Sequence, residues 1–381
     1  MKKIDRDKLG RLILRRAEEE LSQGRICGKE ITVLQDGEMV FHGVFGSASV
    51  GGPALRGNMI YRIASMTKPV TAAAVLMLAD GGKIDLYAPL SDYYPEASIL
   101  MVAEVKDGRI VSLRAAENPI RVIDLLSHTS GIGCSPVLET LTESDARLPL
   151  GEAVKKILAL PLSFEPRTWQ AYSPTAAFDV AAGIVAIASD MPYAEFLKKK
   201  IFDPLGMADT GFGLSPGQRE RTVAIYDRDA EGRGYDSPTV EGCVFEDFLP
   251  ERSSAGAGLA STASDFSVFA ETLRLGGVSP SGVRILSEEA VRLMRTPNVP
   301  ESIPMGYERW GLGVRVIVDS RYPHGLCPGC FGWSGAYGTH FWVDPENRIT
   351  AVMMKNSRYD GGAGNMSACG FERDVYDSAE V

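Results

Sequence analysis

Positive charge is in short supply in this chain of 381 residues, where 40 Lys and Arg stand against 49 Asp and Glu for a formal net charge of −9. Binding a nucleic-acid backbone requires a concentrated excess of basic side chains, so no nucleic-acid partner is expected. The one basic run, Lys198 to Lys200, reads as a solvated helix end. No uninterrupted apolar segment is long enough to span a bilayer, so no membrane role is expected. The basic start Met1-Lys2-Lys3 is followed by Asp5, Arg6, Asp7 and Lys8 rather than the apolar stretch of a secretion signal. Histidine is scarce, at four residues. No H-E-x-x-H spacing and no Gly-rich phosphate loop occur, so neither a metal nor a cofactor is expected. Internal repeats and low-complexity tracts are missing as well. The six cysteines read as free thiols of a reducing compartment rather than a disulfide framework, and a cytoplasmic location is expected. Cys327-Pro328-Gly329-Cys330 has the spacing of a zinc knuckle or redox pair. With no second pair beside it, it reads first as a loop with incidental thiols and second as a redox-sensitive or metal-binding loop.

What is present is a globular composition, 45% hydrophobic and 23% charged. The length allows two or three domains, or one large core with an insertion. Leu9, Leu12, Ile13, Ala17 and Leu21 recur at helical spacing among charges, which predicts an amphipathic helix packed on its own domain. Ile31 to Gln35 and Met39 to Phe45 form a hairpin through Asp36-Gly37. Met59 to Ile63 reads as a further short strand. From Pro69 to Ala79 the chain is helical and apolar on every side, which predicts a buried helix stopped by Gly81-Gly82. Between Lys83 and about Phe248 strand signals are few, and Ile120 to Leu126, Gly151 to Leu158, Thr175 to Ala188 and Tyr193 to Ile201 read as helices. Strands return at Trp310 to Val318, Thr339 to Val343 and Arg348 to Met354, the last two joined by the turn Asp344 to Asn347. The expected fold is therefore α/β (α+β): one antiparallel sheet flanked by helices and built from both chain ends. Residues 1–84 and 249–381 form this discontinuous domain, and 85–248 form an inserted helical domain with the active-site cleft at the junction.

Two serines compete for the role of nucleophile. Gly213-Leu214-Ser215-Pro216-Gly217 matches the nucleophile-elbow pattern, whose oxyanion hole uses the N–H of the residue after the serine. Proline has no N–H to give, so this match reads as a surface turn. Ser65-Met66-Thr67-Lys68 stands at the head of the buried helix. Residues three apart share a helix face, so the Ser65 hydroxyl and the Lys68 amine can meet. Burial disfavours a charged lysine, which makes Lys68 a base for the serine proton, and the helix N-terminus favours developing negative charge. The plain alternative is a helix cap followed by a solvent-facing lysine, but a lysine heading an apolar helix has no solvent to face unless it borders a cleft.

Several separated segments, in order, resemble the serine hydrolases built like class C β-lactamases, penicillin-binding carboxypeptidases and the related carboxylesterases. Tyr61 to Lys68 is similar to the nucleophile segment of that family, and Leu125 to Ile132, with His128, to its helical-domain loop. Tyr172-Ser173-Pro174 stands where the family has Tyr-x-Asn. Ile201 to Thr210, Ala257 to Asp265 and Trp310 to Gly313 are similar to further segments. The resemblance implies that Tyr172 is a second general base, its phenol made more acidic by neighbouring cations. On the residues alone, Ser173 as helix cap with Pro174 at the first helical position is a sufficient account. Pro174 removes the amide that in lactam-processing relatives helps hold the lysine and the substrate.

The family's Lys-Thr-Gly or His-x-Gly appears here as Trp333-Ser334-Gly335. Gly335 is expected to let substrate lie close to the strand edge, and the N–H groups of Ser65 and Ala336 are expected to form the oxyanion hole. Trp333 carries no charge to meet a substrate carboxylate, and relatives with Trp-x-Gly resemble carboxylesterases. All four histidines, His42, His128, His324 and His340, read as structural or surface residues and offer no rival triad. The sequence thus points to a serine hydrolase acting through an acyl-enzyme on a small uncharged acyl ester, with Ser65, Lys68 and Tyr172 as catalytic residues and Trp333, Ser334 and Gly335 binding substrate. A β-lactamase or D-amino-acid peptidase, and a catalytically idle binding homologue, stand as the alternatives.

Overall fold

The computed structural model describes residues 2–135, 148–240, 243 and 253–380. The chain opens with strand β1 (Lys3–Ile4) and helix α1 (Arg6–Ser22), whose first turn is capped by the Asp5 carboxylate accepting from Lys8 N–H at 2.9 Å. Leu9, Ile13 and Ala17 are its buried stripe. β2 (Gly28–Gln35) and β3 (Glu38–Gly46) follow, joined by Asp36 and Gly37, both at positive φ as a tight two-residue turn demands. β4 (Tyr61–Arg62) leads through a 3₁₀ turn, Ala64–Met66, into α2 (Thr67–Asp80). Beyond it Gly82 supplies the left-handed residue that ends the helix.

A mostly helical stretch comes next. It contains the hairpin β5 (Met101–Lys106) and β6 (Arg109–Ala115), then α3 (Val122–Leu126), α4 (Leu150–Leu158), α5 (Ala176–Ser189) and α6 (Tyr193–Leu197). A π-helical turn over Lys198–Phe202 carries α6 into α7 (Asp203–Leu205), and α8 (Pro216–Arg219) follows. A second hairpin, β7 (Ile225–Arg228) and β8 (Gly234–Ser237), precedes β9 (Ala260–Ser261), α9 (Ala263–Arg274) and α10 (Glu288–Met294). The chain finishes with β10 (Glu308–Trp310), β11 (Arg315–Ile317), β12 (Phe331–Ser334), β13 (His340–Asp344), β14 (Ile349–Met354), α11 (Met366–Asp377) and β15 (Ala379–Glu380).

Seven strands form one antiparallel sheet in the order β10-β11-β12-β13-β14-β2-β3. The chain ends meet where β14 pairs with β2, Met353 opposite Ile31, so the sheet is built from both termini as expected. On one face Ile31, Val33, Trp342, Ala351 and Met353 pack with Leu9 and Ile13 of α1 and Phe371 and Val375 of α11. On the other, Phe341, Val343, Val352 and Met354 share a larger core with Phe266 and Phe269 of α9, α2 and the helical stretch. Burial on both faces is why β13 and β14 read as continuous apolar runs rather than alternating ones.

Two details differ from the sequence-based expectation. The stretch expected to be helical holds two hairpins. The second is bonded to the sheet half, with Tyr226 N–H donating to Asn356 O at 2.9 Å. The expected boundary at residues 248 and 249 lies outside the described residues. Trp310 to Val318 is not one extended run but a hairpin. Gly313 turns at positive φ against α2, where a Cβ would lie 2.8 Å from both Ala72 Cβ and Lys68 O. No single helix among the described residues is long and apolar enough to cross a membrane, and apolar α5 packs inside the fold against α2, α3 and α4.

Candidate active site

The segment that carries Ser65 is shaped by its neighbours before α2 begins. β4 pairs with β9, Tyr61 opposite Ser261, and Ile63 N–H donates to Leu259 O at 3.1 Å. Ala64 then takes a positive φ of 43°, a costly conformation for a residue with a Cβ. The turn leaves Ser65 partly exposed between buried Ala64 and Met66. Lys68, one turn on, is completely buried.

The Lys68 amine lies 3.2 Å from Ser65 Oγ, 2.5 Å from Pro174 O and 2.9 Å from Gly256 O. A neutral amine has two N–H donors and one lone pair. The two carbonyls take two of the amine's hydrogens, so its remaining position, a donor when charged and a lone pair when neutral, faces Ser65 Oγ. Burial pushes the Lys68 pKa below the usual lysine range, against an opposing pull from Tyr172 and Asp179. Pro174 therefore does not leave Lys68 unheld: its main-chain carbonyl takes the amine. The second carbonyl depends on a glycine, since a Cβ at 256 would lie 2.5 Å from Thr175 Cα and 2.7 Å from Pro174 O. Asp179 on α5 accepts Ala255 N–H at 2.7 Å and Thr71 on α2 donates to Ala255 O at 2.7 Å, which fixes that loop. Nothing in the sequence pattern singled out Gly256, because the contribution is a backbone carbonyl.

Tyr172 OH lies 2.8 Å from Ser65 Oγ and accepts a hydrogen bond from Trp333 Nε1–H at 3.1 Å. The Lys68 amine sits 4.7 Å from the centre of its ring. The tyrosine is gripped from both sides in sequence by one residue. Ala171 N–H donates to His128 O at 3.2 Å and Ser173 N–H to His128 Nδ1 at 3.1 Å. Burial and the nearby Lys68 hold His128 neutral by pushing its pKa well below the ordinary value. Since Nδ1 accepts, the remaining proton is assigned to Nε2, among the rings of Tyr172, Phe178 and Trp310 at 4.7, 5.4 and 4.3 Å. His128 is thus structural, as its sequence context suggested, but what it structures is the tyrosine. Ser173 is not the cap of α5, which is Thr175; its hydroxyl instead accepts Ala177 N–H at 3.1 Å.

The end of β12 completes the wall. Trp333 is buried with its indole against Tyr172 and Trp310. Strand alternation turns Ser334 to the opposite face, where its hydroxyl meets His340 Nδ1 at 2.8 Å and His340 Nε2 meets Glu372 at 3.1 Å. The structure does not bring the Ser334 side chain to the cleft. Gly335 serves a different approach from the one expected. A Cβ there would lie 2.4 Å from Ile63 O, so the missing side chain lets the strand end abut the turn that carries Ser65. Ala336 is exposed, and its N–H is accepted by no backbone carbonyl among the described residues. The carbonyl of the same peptide unit, on Gly335, accepts Gly338 N–H at 2.9 Å.

The competing motif is a helix cap: Ser215 Oγ accepts Gln218 N–H at the start of α8. No disulfide joins any of the six cysteines among the described residues. Cys330 is buried on the α11 side of the sheet against Tyr376, away from Trp333. Burial raises the pKa of both Cys327 and Cys330, which disfavours the reactive thiolate. Among the described residues no group of three or more His, Cys, Asp or Glu is placed to hold a metal ion.

Residues 14–367 match the protein family described as Beta-lactamase. Protein Rv1367c of Mycobacterium tuberculosis is 35% identical over 323 residues, covering 80% of this chain and 79% of that protein. Esterase EstB of Burkholderia gladioli is 28% identical over 376 residues, 92% of this chain and 91% of its own length. Among solved structures, EstCE1, described as a hydrolase with promiscuous acyltransferase activity, is similar over 97% of this chain and 99% of its own at a TM-score of 0.78 and 22% identity, a likeness of fold.

Proposed function

The chain belongs to the β-lactamase family and is a serine hydrolase; from that premise we propose that it is a carboxylesterase that cleaves a small, uncharged acyl ester through an acyl-enzyme on Ser65. In this reading Ser65 Oγ attacks the ester carbonyl as its proton passes to the Lys68 lone pair. The N–H groups of Ser65 and Ala336 receive the negative charge of the tetrahedral intermediate. Tyr172 gives its proton to the departing alcohol oxygen as the C–O bond breaks. The phenolate left behind is met by Trp333 N–H and the newly protonated Lys68. In the second half Tyr172 draws a proton from water, the hydroxide attacks the acyl carbon, and Lys68 returns its proton to Ser65 as the acid leaves. An alcohol in place of that water gives acyl transfer by the same steps.

The observation that carries the reading is the hydrogen-bond set on Ser65 Oγ, Lys68 at 3.2 Å and Tyr172 at 2.8 Å, with a neutral indole rather than a cation on the far side of the tyrosine. An ester needs no cation there; a substrate carboxylate would. Esterase EstB as a relative across nearly the whole length supports the same substrate class. Six cysteines with no disulfide among them fit the reducing, cytoplasmic setting proposed for the chain. The test is turnover of a short p-nitrophenyl ester by the wild type and by Ser65→Ala. Loss of turnover in the variant is expected, and retained turnover overturns the mechanism. A chromogenic cephalosporin cleaved as fast as the ester would instead favour a β-lactamase, and no acylation by any activated ester would favour an idle homologue.

A further inference from the structure

The two proposed oxyanion donors come from distant parts of the chain, Ser65 behind β4 and Ala336 behind β12. Their segments meet where Thr339 donates its hydroxyl hydrogen to Ile63 O at 3.1 Å. The stretch Lys355 to Gly362, between β14 and α11, is bonded to both. On the nucleophile side the Asn356 carboxamide accepts Arg62 N–H and donates to Arg62 O, each at 3.0 Å, imitating a step of a β-ladder three residues before Ser65. On the other side Ser357 N–H donates to Tyr337 O and Gly362 N–H to Ala336 O, both at 2.9 Å. Gly361 packs so closely that a Cβ would lie 2.3 Å from Ala336 O.

The stretch is shaped from inside by a buried ion pair that the reaction does not use. Lys355 Nζ lies 2.5 Å from Asp360 Oδ2 and 3.2 Å from Asn365 Oδ1. Asp360 also accepts Met366 N–H at 3.0 Å and the Ser367 hydroxyl, and its own N–H donates to Ser357 Oγ at 3.1 Å. The lysine stem runs beneath Gly338, where a Cβ would lie 2.2 Å from Lys355 Cε. Gly338 is the residue whose N–H holds the Gly335 carbonyl and so turns the Ala336 N–H outward. A buried ion pair adds little net stability over an apolar replacement, so its presence here asks for a positional reason.

We propose that Lys355 to Gly362 is a clip that sets the separation and aim of the two oxyanion-hole N–H groups, with Asn356 and the Lys355–Asp360 pair as positioning residues. The proposal rests on Ser65 being the nucleophile and on those two N–H groups forming the hole. It is tested with Gly361→Ala, which pushes a methyl group at Ala336 O without removing a charge, and Asn356→Ala, which removes the two carboxamide bonds to the Arg62 main chain. Each variant is checked for cooperative thermal unfolding, then assayed for kcat and KM on a p-nitrophenyl ester and for the affinity of an aryl boronic acid, whose adduct with serine is tetrahedral. Loss of one oxyanion donor costs about 100-fold to 1000-fold in kcat, so a misaimed one is expected to cost about 10-fold to 100-fold. KM should change little, and boronate affinity should fall in step with kcat/KM. A merely structural role would lower the unfolding temperature and leave boronate affinity alone. Unchanged kcat and boronate affinity in folded Gly361→Ala overturn the clip, whether or not Asn356→Ala folds. Ser65→Ala run alongside separates the two ideas: if it is inactive while Gly361→Ala behaves as wild type, only the clip falls, and if it is active the nucleophile assignment falls first.

Discussion

Tyr172 OH has Ser65 on one side and the Trp333 indole on the other. The indole N–H is neutral, so it can hold a phenolate without attracting a carboxylate. Trp333→Phe keeps the aromatic packing and removes that bond. A hydrogen bond to a charged group is worth roughly 1.5–3 kcal/mol, so kcat is expected to fall about 10-fold to 100-fold with KM little changed. Steady-state kinetics on a neutral ester check this, and an unchanged kcat would take the indole out of the proton path. Lys68 makes a pH prediction. It must be neutral to accept the Ser65 proton, and burial lowers its pKa, so kcat/KM should rise with pH through a midpoint below the ~10.4 of a free lysine. A pH–rate profile with that limb at or above the free value would contradict Lys68 as the base. At this scale the sequence pointed to the side chains that meet in the candidate site where they stand at short spacing, as Ser65 and Lys68 do, or in an ordered resemblance, as Tyr172 does. It was silent on the Pro174 and Gly256 carbonyls, because every residue type has one.

Elements place those residues, and glycines decide how closely they meet. Gly335→Ala would drive a methyl group at Ile63 O. Overpacking of this kind costs about 1–3 kcal/mol, so a lower unfolding temperature is expected together with slower turnover, read by thermal unfolding and ester assay. Helix α11 is tied to the sheet by Glu372, which meets Arg315 of β11 at 2.8 Å and His340 of β13 at 3.1 Å. Those partners outweigh the burial that opposes them and hold the Glu372 carboxyl at about 2. The unfolded chain binds the proton more readily, near pH 4.5, so Glu372 contributes about 3 kcal/mol at neutral pH that is lost as pH falls from about 4.5 towards 2. Glu372→Gln should therefore be less stable at pH 7 and show a flatter loss of stability in acid, measured by denaturant unfolding at several pH values. Helix α2 and the terminal strands were legible because their apolar residues are dense and uninterrupted. The hairpin β5–β6 carries its own signals, Asp107-Gly108 at positive φ and an alternating apolar face on which Met101 and Ala103 pair with Ala115 and Leu113, but most of its side chains are exposed, so no buried run marks it.

For the molecule as a whole, the two ends of the chain had to be recognised as one sheet, and the return of strand signals after a long helical stretch was enough for that. What pattern alone could not supply was the meeting of five separated segments: 63–68, 128, 172–174, 256 and 333–336. None is near another in sequence, so their convergence follows from topology rather than periodicity. The central claim is that this convergence makes Ser65 the residue that carries the acyl group. Its most direct measurement is peptide-mapping mass spectrometry of the enzyme quenched in acid during turnover of a slowly hydrolysed p-nitrophenyl ester. Ser65 as the acyl carrier requires one acyl adduct, on Ser65, that accumulates with the nitrophenol burst and is missing from Ser65→Ala. An adduct mapped to Ser215 or another residue, or a burst that survives in Ser65→Ala, would contradict it.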